Sequence, residues 1–454
     1  MRGGPVALTS RAMATTDVPA VPFHLTGNYG PVTDEVTSFD LPVTGELPRE
    51  LRGSFLRNGP NPTSAAAHWF LGEGMVHGVH LDGGQARWYR NRWVRTASFT
   101  GDATFMNRAG TRDFEASKAN THVVRHAGRI LALVETSFPY EVTDDLETVG
   151  PHDFDGRLTT AMTAHPKVCP TTGEMHFFGY AYAPPFLTYH VADAAGRLVT
   201  SRDVDVPGAT MMHDFNLTER FVVFMDLPIV FDLQLAMEGS PLPYRFDVSY
   251  GARLGVLRRD DPHGHVRWFE IEPCYVFHAL NAHDDGGVVT IDVVRYPTVS
   301  IERTGIQDGV LWRWTIDLNR GTVTERQLDD RPGELPRIDD RLTGLPAARG
   351  WVTTMPEPSD LTASGAVTVH DLVRATSKTH HFEGGKVPGE AVFAPADESA
   401  GGPGWLLTYV YDPARDASDL VVLDADRPGD EPTATVHLPV RVPYGFHGSW
   451  LSAG

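Results

Sequence analysis

Short runs of apolar residues recur along the whole chain, and turn-favouring residues bound each run. Residues 221–225, 288–294, 405–411 and 420–423 are rich in β-branched or aromatic side chains and lie between Gly, Pro, Asp or Asn positions. Runs of this length and composition are typical of strands. Long amphipathic helical patterns are scarce, and residues 229–237 form one short candidate helix. The pattern therefore predicts an all-β protein.

The abundance of turns favours a closed arrangement of these strands. Gly and Pro account for 44 and 34 of the 454 residues. Many short strands separated by turns indicate a sandwich, a barrel or a propeller. Because no linker rich in Pro and Ser divides the chain, a single β-propeller fits the length best. We expect one domain over residues 21–454, preceded by a disordered lead-in at residues 1–20.

Charge and cysteine content narrow the class of protein. The chain has 39 Lys and Arg against 58 Asp and Glu, a net charge of -19, which repels phosphate backbones and excludes a nucleic-acid partner. The first 20 residues have no sustained apolar run typical of a signal peptide. The two cysteines, Cys169 and Cys274, are interpreted as reduced thiols. We therefore expect a cytoplasmic protein; the sequence predicts no oligomeric state.

Four histidines lie in separate short motifs spread along the chain: His165, His213, His278 and His447. Neutral imidazoles without a cysteine cluster suit a borderline metal such as iron(II). The wide spacing means that the fold, rather than a local loop, must gather them. The axis of a propeller is a place where residues from several blades can meet.

Spacing alone does not select these four among the 20 histidines of the chain. A single histidine is more often a core or surface residue than a metal ligand, and most of the others are interpreted in that way. His77 and His80 alternate with apolar residues. On a strand they would point to opposite faces, so they make a poor chelate.

Longer motifs resemble one known family. The stretches LRGSFLRNGPNP at 51–62, HWFLGEGM at 68–75, RNRWVRT at 90–96 and ELPRID at 334–339 accompany the four histidine motifs. Together they resemble the carotenoid cleavage oxygenases, over residues 22–451. The resemblance implies a seven-bladed β-propeller with short helices and loops that cap the iron-bearing face. It also implies iron(II) on the propeller axis, held by the four motif histidines.

The same resemblance implies three carboxylates around the iron ligands. The matching positions are Glu135, Glu334 and Glu390. Ligand histidines usually donate their second ring N–H to a carboxylate, which fixes the tautomer and offsets the metal charge. Without the resemblance, each of the three would be interpreted as an exposed carboxylate at a strand end.

Further residues match family positions beside the open coordination positions of the iron and along the substrate tunnel. Four ligands leave two of six octahedral positions open for O2, the co-substrate. Thr121 matches a residue that crowds one open position, and its alternative interpretation is a plain strand threonine. Val134 and Phe277 match positions that line a tunnel for a lipophilic polyene. Weaker tunnel candidates, which could equally fill the core, are Phe70, Phe215 and Phe446.

The implied activity is oxidative cleavage of a conjugated C=C double bond, giving two carbonyl products. Relatives that cleave hydroxystilbenes carry a lysine where this chain has Val134, which cannot donate a hydrogen bond to a phenol. A carotenoid or apocarotenoid substrate is therefore favoured over a stilbene. The alternatives are a stilbene dioxygenase, a retinoid isomerohydrolase-like enzyme that consumes no O2, and a non-catalytic propeller that binds a partner.

Residues 227–237 fall where family members carry an apolar lip that contacts membrane. The segment is short here. We therefore state as a hypothesis that residues 227–237 contact a membrane peripherally.

Overall fold

The computed structural model describes residues 21–62, 66–106, 111–300, 308–356 and 363–453. Seven antiparallel sheets form the blades of a β-propeller, as predicted. The expected lead-in at residues 1–20 lies outside the described residues, so the domain boundary stays a prediction.

The blades are numbered in the order in which their innermost strands surround the axis. Blade 1 contains Thr37–Phe39, Gly53–Asn61, Glu73–Asp82, Gln85–Trp93 and Gly448–Ser452. Blade 2 contains His122–His126, Arg129–Leu133, Tyr140–Val142 and Thr148–Pro151. Blade 3 contains Lys167–Val168, Met175–Tyr180, Leu187–Ala192 and Leu198–Asp203. Blade 4 contains Phe215–Leu217, Phe221–Asp226, Ala252–Arg258 and Arg267–Ile271.

The remaining blades follow the same plan. Blade 5 contains Ala279–Asp285, Val288–Arg295, Val310–Asp317 and Thr322–Pro332. Blade 6 contains Glu334–Arg337, Arg349–Thr354, Ala366–Asp371 and Thr376–His381. Blade 7 contains Val43–Gly45, Val387–Pro388, Val392–Pro395, Gly404–Asp412, Ala417–Asp424 and Ala434–His437.

Short elements lie outside the blades. A two-stranded hairpin pairs Ile229–Phe231 with Tyr244–Phe246. The α-helices are Ala97–Thr100 and Leu233–Met237. The 3-10 helices are Phe23–Leu25, Gly27–Tyr29, Trp69–Leu71, Val248–Tyr250 and Asp340–Leu342.

Two separate strand pairings close the ring. In blade 1, Gly448–Ser452 pairs with the strand Gly53–Asn61, in a register from Gly53 with Ser452 to Arg57 with Gly448. In blade 7, Val43–Gly45 pairs with Ala434–His437. Pairing of early with late segments leaves no break between the blades, and a closed ring removes the exposed sheet edges that invite aggregation.

The hydrophobic core is divided among the interfaces between neighbouring blades. The largest cluster joins blades 4 and 5 and includes Val223, Leu254 and Ile291, each 0% exposed. The four runs predicted as strands lie within Phe221–Asp226, Val288–Arg295, Gly404–Asp412 and Ala417–Asp424. They are apolar on both faces because a blade packs against a neighbour on each side, so both faces are buried.

The predicted helix over 229–237 is only half correct. Ile229–Phe231 is a strand, and the helix begins at Leu233. Asp232 ends the strand and caps the helix, since its carboxylate accepts hydrogen bonds from the backbone N–H groups of Gln234 and Leu235 at 2.9 and 3.1 Å. The β-branched residues Ile229 and Val230 precede Asp232, and they pair with the neighbouring strand Tyr244–Phe246.

Both cysteines are buried and free, as expected of reduced thiols. Among the described residues, no helix is long and apolar enough to cross a membrane.

Removing the Phe55 ring is expected to destabilise the closure between blades 1 and 7. Phe55 is 0% exposed, and its ring centroid lies 4.9 Å from that of Tyr409 in blade 7. Phe55→Ala should lower the free energy of unfolding by about 3–5 kcal/mol, measured by urea denaturation. Val373→Ala, at a side chain that is 78% exposed, is the control and should change little. Equal effects of the two substitutions would contradict the assignment.

Candidate metal centre

The four motif histidines occupy equivalent places in four different blades. His165, His213, His278 and His447 stand one or two residues before the innermost strands of blades 3, 4, 5 and 1. Each therefore enters the axis at the same end of the propeller. The separation of 48 residues from His165 to His213, and of 65 from His213 to His278, is the length of one blade.

The other three blades place a different residue at the same position. Glu334 begins the innermost strand of blade 6, and Glu390 follows Val387–Pro388 in blade 7. Thr121 immediately precedes the innermost strand of blade 2. The gap of 169 residues between His278 and His447 thus contains the two blades that contribute carboxylates instead of imidazoles.

The imidazole Nε2 atoms converge. The Nε2 atoms of His165 and His213 are 3.0 Å apart, and those of His213 and His278 are 3.3 Å apart. The His447 Nε2 lies 3.0 Å from the His278 Nε2. Two ligands about 2.1 Å from one metal and at right angles to it lie roughly 3.0 Å apart, so these separations fit a shared ion.

Three carboxylates orient these rings from outside. The Nδ1–H of His213 donates to Glu135 Oε2 at 2.7 Å, and that of His278 donates to Glu334 Oε2 at 2.6 Å. In the third pair, the Nδ1–H of His447 donates to Glu390 Oε1 at 2.8 Å. With the proton on Nδ1, each Nε2 presents a lone pair to the axis.

This arrangement of lone pairs has a direct chemical consequence. Facing Nε2 atoms that both carry lone pairs repel each other and form no hydrogen bond between them. A cation at the centre removes the repulsion and satisfies all the lone pairs. The donor set therefore fits a divalent metal, whose charge the three carboxylates would offset.

Burial and neighbouring charges shift the pKa values of the clustered histidines. Burial and the surrounding imidazoles hold the pKa of His165 and His447 well below its ordinary value, which keeps both rings neutral. Burial also lowers the pKa of His213, but the carboxylates of Glu135, Asp214 and Glu334 together outweigh it, and the pKa is raised overall. A metal at the centre would instead favour the neutral form of His213.

The glutamates are themselves held by groups that the sequence did not reveal as functional. The Tyr296 hydroxyl donates to Glu334 Oε1 at 3.0 Å. Arg337 Nη1 donates to Glu390 Oε2 at 3.1 Å, and the backbone N–H of Gly448 donates to the same oxygen at 2.7 Å. Arg337 lies in the motif quoted above for residues 334–339, whereas no sequence signal distinguishes Tyr296.

An apolar cavity adjoins the open side of the histidine cluster. Thr121, Val134 and Phe277 line it, and so do Phe70 and Phe446. The Phe277 ring stands edge-on to His213, with centroids 5.6 Å apart. Apolar walls that the sequence did not point to come from Trp69, Leu71, Met211, Leu242, Leu335 and Met355.

Phe215 does not line this cavity, so its candidacy is wrong. It is 0% exposed and packs in the core between blades 3 and 4, edge-on to Phe178 with ring centroids 5.4 Å apart. Although Phe215 is only two residues from His213, it already belongs to the innermost strand of its blade. It therefore packs among the strands rather than at the open end.

A second cavity, lined by both polar and apolar residues, also borders the histidine cluster. His122 lines it and was not singled out from the sequence. Its Nδ1 donates to the Ala164 carbonyl at 3.0 Å, and burial lowers its pKa to about 3, so the ring is neutral. Its ring centroid is 5.2 Å from that of His447. His77 and His80 are remote from the cluster and bond to Tyr89 and Ser54 instead.

Comparison with known proteins agrees with this geometry. The family model for retinal pigment epithelial membrane protein, RPE65, matches residues 29–452. The chain belongs to the RPE65 and carotenoid oxygenase family.

Individual relatives are similar over almost the whole chain. A carotenoid cleavage oxygenase of Mycobacterium tuberculosis is 40% identical, over 94% of this chain and 97% of that protein. A carotenoid 9,10(9',10')-cleavage dioxygenase 1 of Phaseolus vulgaris is 32% identical, over 95% of this chain and 90% of that protein. The crystal structure of Pseudomonas brassicacearum lignostilbene dioxygenase matches with a TM-score of 0.83 and 29% identity, over 96% of this chain and 100% of that chain. These relatives support an oxygenase activity.

Neutralising Glu334 is expected to weaken metal binding while leaving the fold intact. Glu334→Gln keeps an acceptor for the His278 Nδ1–H but removes the negative charge. The affinity for iron(II), measured under argon by competition with a chelating dye, should fall by about 10–100-fold. Glu141→Gln, at a carboxylate paired with Arg129 in blade 2, is the matched control. If both variants bind iron as tightly as the unaltered chain, the carboxylate does not support the site.

Proposed function

We propose that the protein is a non-haem iron(II) dioxygenase that cleaves a conjugated C=C double bond of a carotenoid or apocarotenoid, giving two carbonyl products. His165, His213, His278 and His447 would hold the iron. The observation that carries this proposal is the convergence of the imidazole Nε2 atoms at the wall of an apolar cavity. It joins a metal-binding donor set to a space suited to a polyene.

The donor set favours iron(II) over softer metals. Four neutral imidazoles supply no thiolate, and four ligands leave two positions open in an octahedral site. When bound, iron(II) supplies the activation of dioxygen toward an electron-rich double bond. Thr121 stands beside these ligands in the cavity wall, and its hydroxyl donates to Asn120 Oδ1 at 3.0 Å. Its remaining bulk would restrict access to one open position.

The residues of the chain bind and position the polyene. Phe277, Phe70 and Phe446 line the cavity, where a flat conjugated chain can pack against aromatic side chains. Val134 is 8% exposed and adds an aliphatic surface beside Glu135. The apolar walls exclude water from the double bond, so that the oxygen atoms added to it come from O2.

A carotenoid-type substrate is favoured over a stilbene. The Mycobacterium tuberculosis and Phaseolus vulgaris relatives are named for carotenoid cleavage, and Val134 offers no donor to a phenol. The second candidate is cleavage of a stilbene by the same iron chemistry, supported by the likeness to the lignostilbene dioxygenase. An isomerohydrolase-like activity or a non-catalytic role has no comparable support from these relatives.

Removing one candidate ligand is expected to abolish both iron loading and cleavage. His278→Ala takes away a central imidazole, and its iron content should fall to near zero. Incubation with a panel of carotenoids, apocarotenals and resveratrol should then yield no carbonyl products by mass spectrometry, and no O2 should be consumed. His80→Ala is the control, because His80 bonds to Ser54 outside the cluster. Normal turnover by His278→Ala would refute the site.

We further propose that the protein is cytoplasmic and contacts membranes peripherally through residues 227–237. Leu233 and Met237 are 66% and 77% exposed on the short helix, and Val248 nearby is 63% exposed. Exposed apolar side chains of this size are typical of surfaces that enter an apolar phase.

Sedimentation with liposomes tests this contact. The protein should co-sediment with neutral phosphatidylcholine vesicles at low and at high salt, because apolar contact is insensitive to ionic strength. The double variant Leu233→Ser and Met237→Ser should remain in the supernatant. Absence of the unaltered protein from the pellet at both salt concentrations would reject the proposal.

A further inference from the structure

One arginine holds both the carboxylate that orients His447 and the strand that follows His447. Arg337 Nη1 donates to Glu390 Oε2 at 3.1 Å and to the Gly448 carbonyl at 2.9 Å. Its Nη2 donates to Asp340 Oδ2 at 2.7 Å. The side chain of Arg337 is 12% exposed and that of Glu390 is 1% exposed, so the ion pair between them is largely buried.

These bonds form a closed network with the candidate ligand. Glu390 Oε1 accepts from the His447 Nδ1–H at 2.8 Å, and Glu390 Oε2 accepts from the Gly448 N–H at 2.7 Å. Arg337 therefore bonds to both groups that border the ring of His447: the carboxylate to which the ring donates and the residue that follows it. The network joins blade 6 to blade 7 and to the strand that closes blade 1.

The strand of blade 6 is distorted in a way that brings Arg337 to this place. On a regular strand, residues three apart point to opposite faces of the sheet. Glu334 pairs with Thr353. Arg337 pairs with Trp351, so three steps along this strand match only two along its neighbour. The extra residue is a β-bulge, and it lets Glu334 and Arg337 both face the axis.

The bulge includes an unfavourable backbone conformation. Leu335 has a φ of 53°, in the left-handed region that leucine rarely adopts. Its N–H donates to Glu334 Oε2, which supports this conformation. Residues other than glycine persist in this region where the surrounding structure requires them, and they cluster at functional sites. The bulge is therefore evidence that the positions of Glu334 and Arg337 both serve the centre of the propeller.

The support of Glu390 differs from that of the other two carboxylates. Among the residues that the structure describes, Glu390 is the only one of the three that forms an ion pair with an arginine or a lysine. Glu334 instead accepts from the neutral hydroxyl of Tyr296. A buried ion pair that loses one partner leaves the other as an uncompensated charge. The orientation of Glu390 should therefore depend strongly on Arg337.

The backbone of His447 is held without Arg337. Its N–H donates to the Thr121 carbonyl at 3.0 Å, and its carbonyl accepts from the Asn58 N–H at 3.0 Å. The strand that begins at Gly448 pairs with blade 1 over five residues. Loss of the Arg337 side chain should therefore leave the peptide in place and free chiefly the carboxylate and the ring that it orients.

We propose that Arg337 is a positioning residue for the fourth metal ligand. It holds Glu390 so that this carboxylate keeps the proton of His447 on Nδ1 and turns Nε2 to the shared centre. Without Arg337 the cluster retains the other three imidazoles, whose ligand atoms lie within 4.8 Å of one another. The inference rests on the proposed function, since it takes His447 as a ligand, and deepens it by naming the residue that completes the set of four.

A double-mutant cycle tests whether Arg337 acts through His447. The affinity of the metal-free protein for iron(II) is measured under argon by competition with a chelating dye, for Arg337→Ala, His447→Ala and the double variant. Arg337→Ala should weaken binding by about 10-fold, the lower end of the loss typical of groups behind a metal ligand. Once His447 is absent, removal of Arg337 should cost nothing more, so the double variant should match His447→Ala within about 2-fold.

A second cycle and a control variant give the comparison. Glu135 orients a different ligand, His213, from blade 2. The losses of Arg337→Ala and Glu135→Gln should therefore multiply in the double variant. Arg341→Ala is the control, because Arg341 follows Arg337 closely and is ion-paired with Asp339 rather than with a carboxylate of the cluster. It should retain the affinity of the unaltered chain for iron.

Rescue by free guanidinium separates positioning from a general effect on packing. Arg337 lines the second cavity beside the histidine cluster, which has a volume of about 380 Å³ and extends to the exposed residues Asp340 and Ser452. A guanidinium ion can therefore enter the space that Arg337→Ala leaves. Guanidinium chloride at about 10 mM, far below the molar range in which it denatures proteins, should restore most of the lost affinity. The same concentration of potassium chloride should not, and the double variant that lacks His447 should show no rescue.

Arg337→Met is the second variant, because it keeps the apolar stem of the side chain and thereby its packing. It should show the same loss of affinity and the same dependence on His447, and the urea midpoint of each metal-free variant reports its folding. The inference is overturned if a folded Arg337 variant binds iron as tightly as the unaltered chain, or if its loss multiplies with that of His447→Ala. If His447→Ala itself leaves iron binding unchanged, the proposed metal site is rejected, and not only the role of Arg337.

Discussion

The hydrogen bonds from ring Nδ1–H to carboxylate organise the centre of this protein. Each of the three bonds settles where a proton resides, and thereby turns an Nε2 lone pair toward the axis. The imidazoles could otherwise bond to each other as donor and acceptor and need no metal. The carboxylates prevent this for His213, His278 and His447, and leave their Nε2 lone pairs free for a cation. A metal preference of the cluster would thus originate in residues that do not touch the metal.

The propeller makes this arrangement achievable. Seven innermost strands start at the same end of one axis, so each blade can deliver one side chain to a common point. Four blades deliver imidazoles, two deliver carboxylates, and blade 2 delivers Thr121. Glu135 completes the set from a different position, after the second strand of blade 2. The apolar cavity then adjoins this end of the axis.

Much of this could be predicted from the sequence, for identifiable reasons. The strands at 288–294 and 405–411 were correctly predicted because their β-branched and aromatic content is local information. The number of blades followed only from resemblance, as did the roles proposed for His165 and Glu390, since no local pattern shows which blades meet. Phe215 was misjudged because nearness in sequence to His213 does not place a side chain at the open end. Tyr296 and Arg337 hold Glu334 and Glu390 through contacts between distant segments, which a single sequence does not reveal.

The order of synthesis has a consequence for assembly. His447 stands immediately before the strand that completes blade 1, and it follows all the other blades in the chain. Three imidazoles can be in place before His447 is synthesised. The pairing of Gly448–Ser452 with blade 1 then completes both the ring and the set of four histidines. A chain that ended before residue 447 would lack both, so it could not hold a metal with all four imidazoles. Retention of a metal at this site would therefore report that translation and ring closure have both finished.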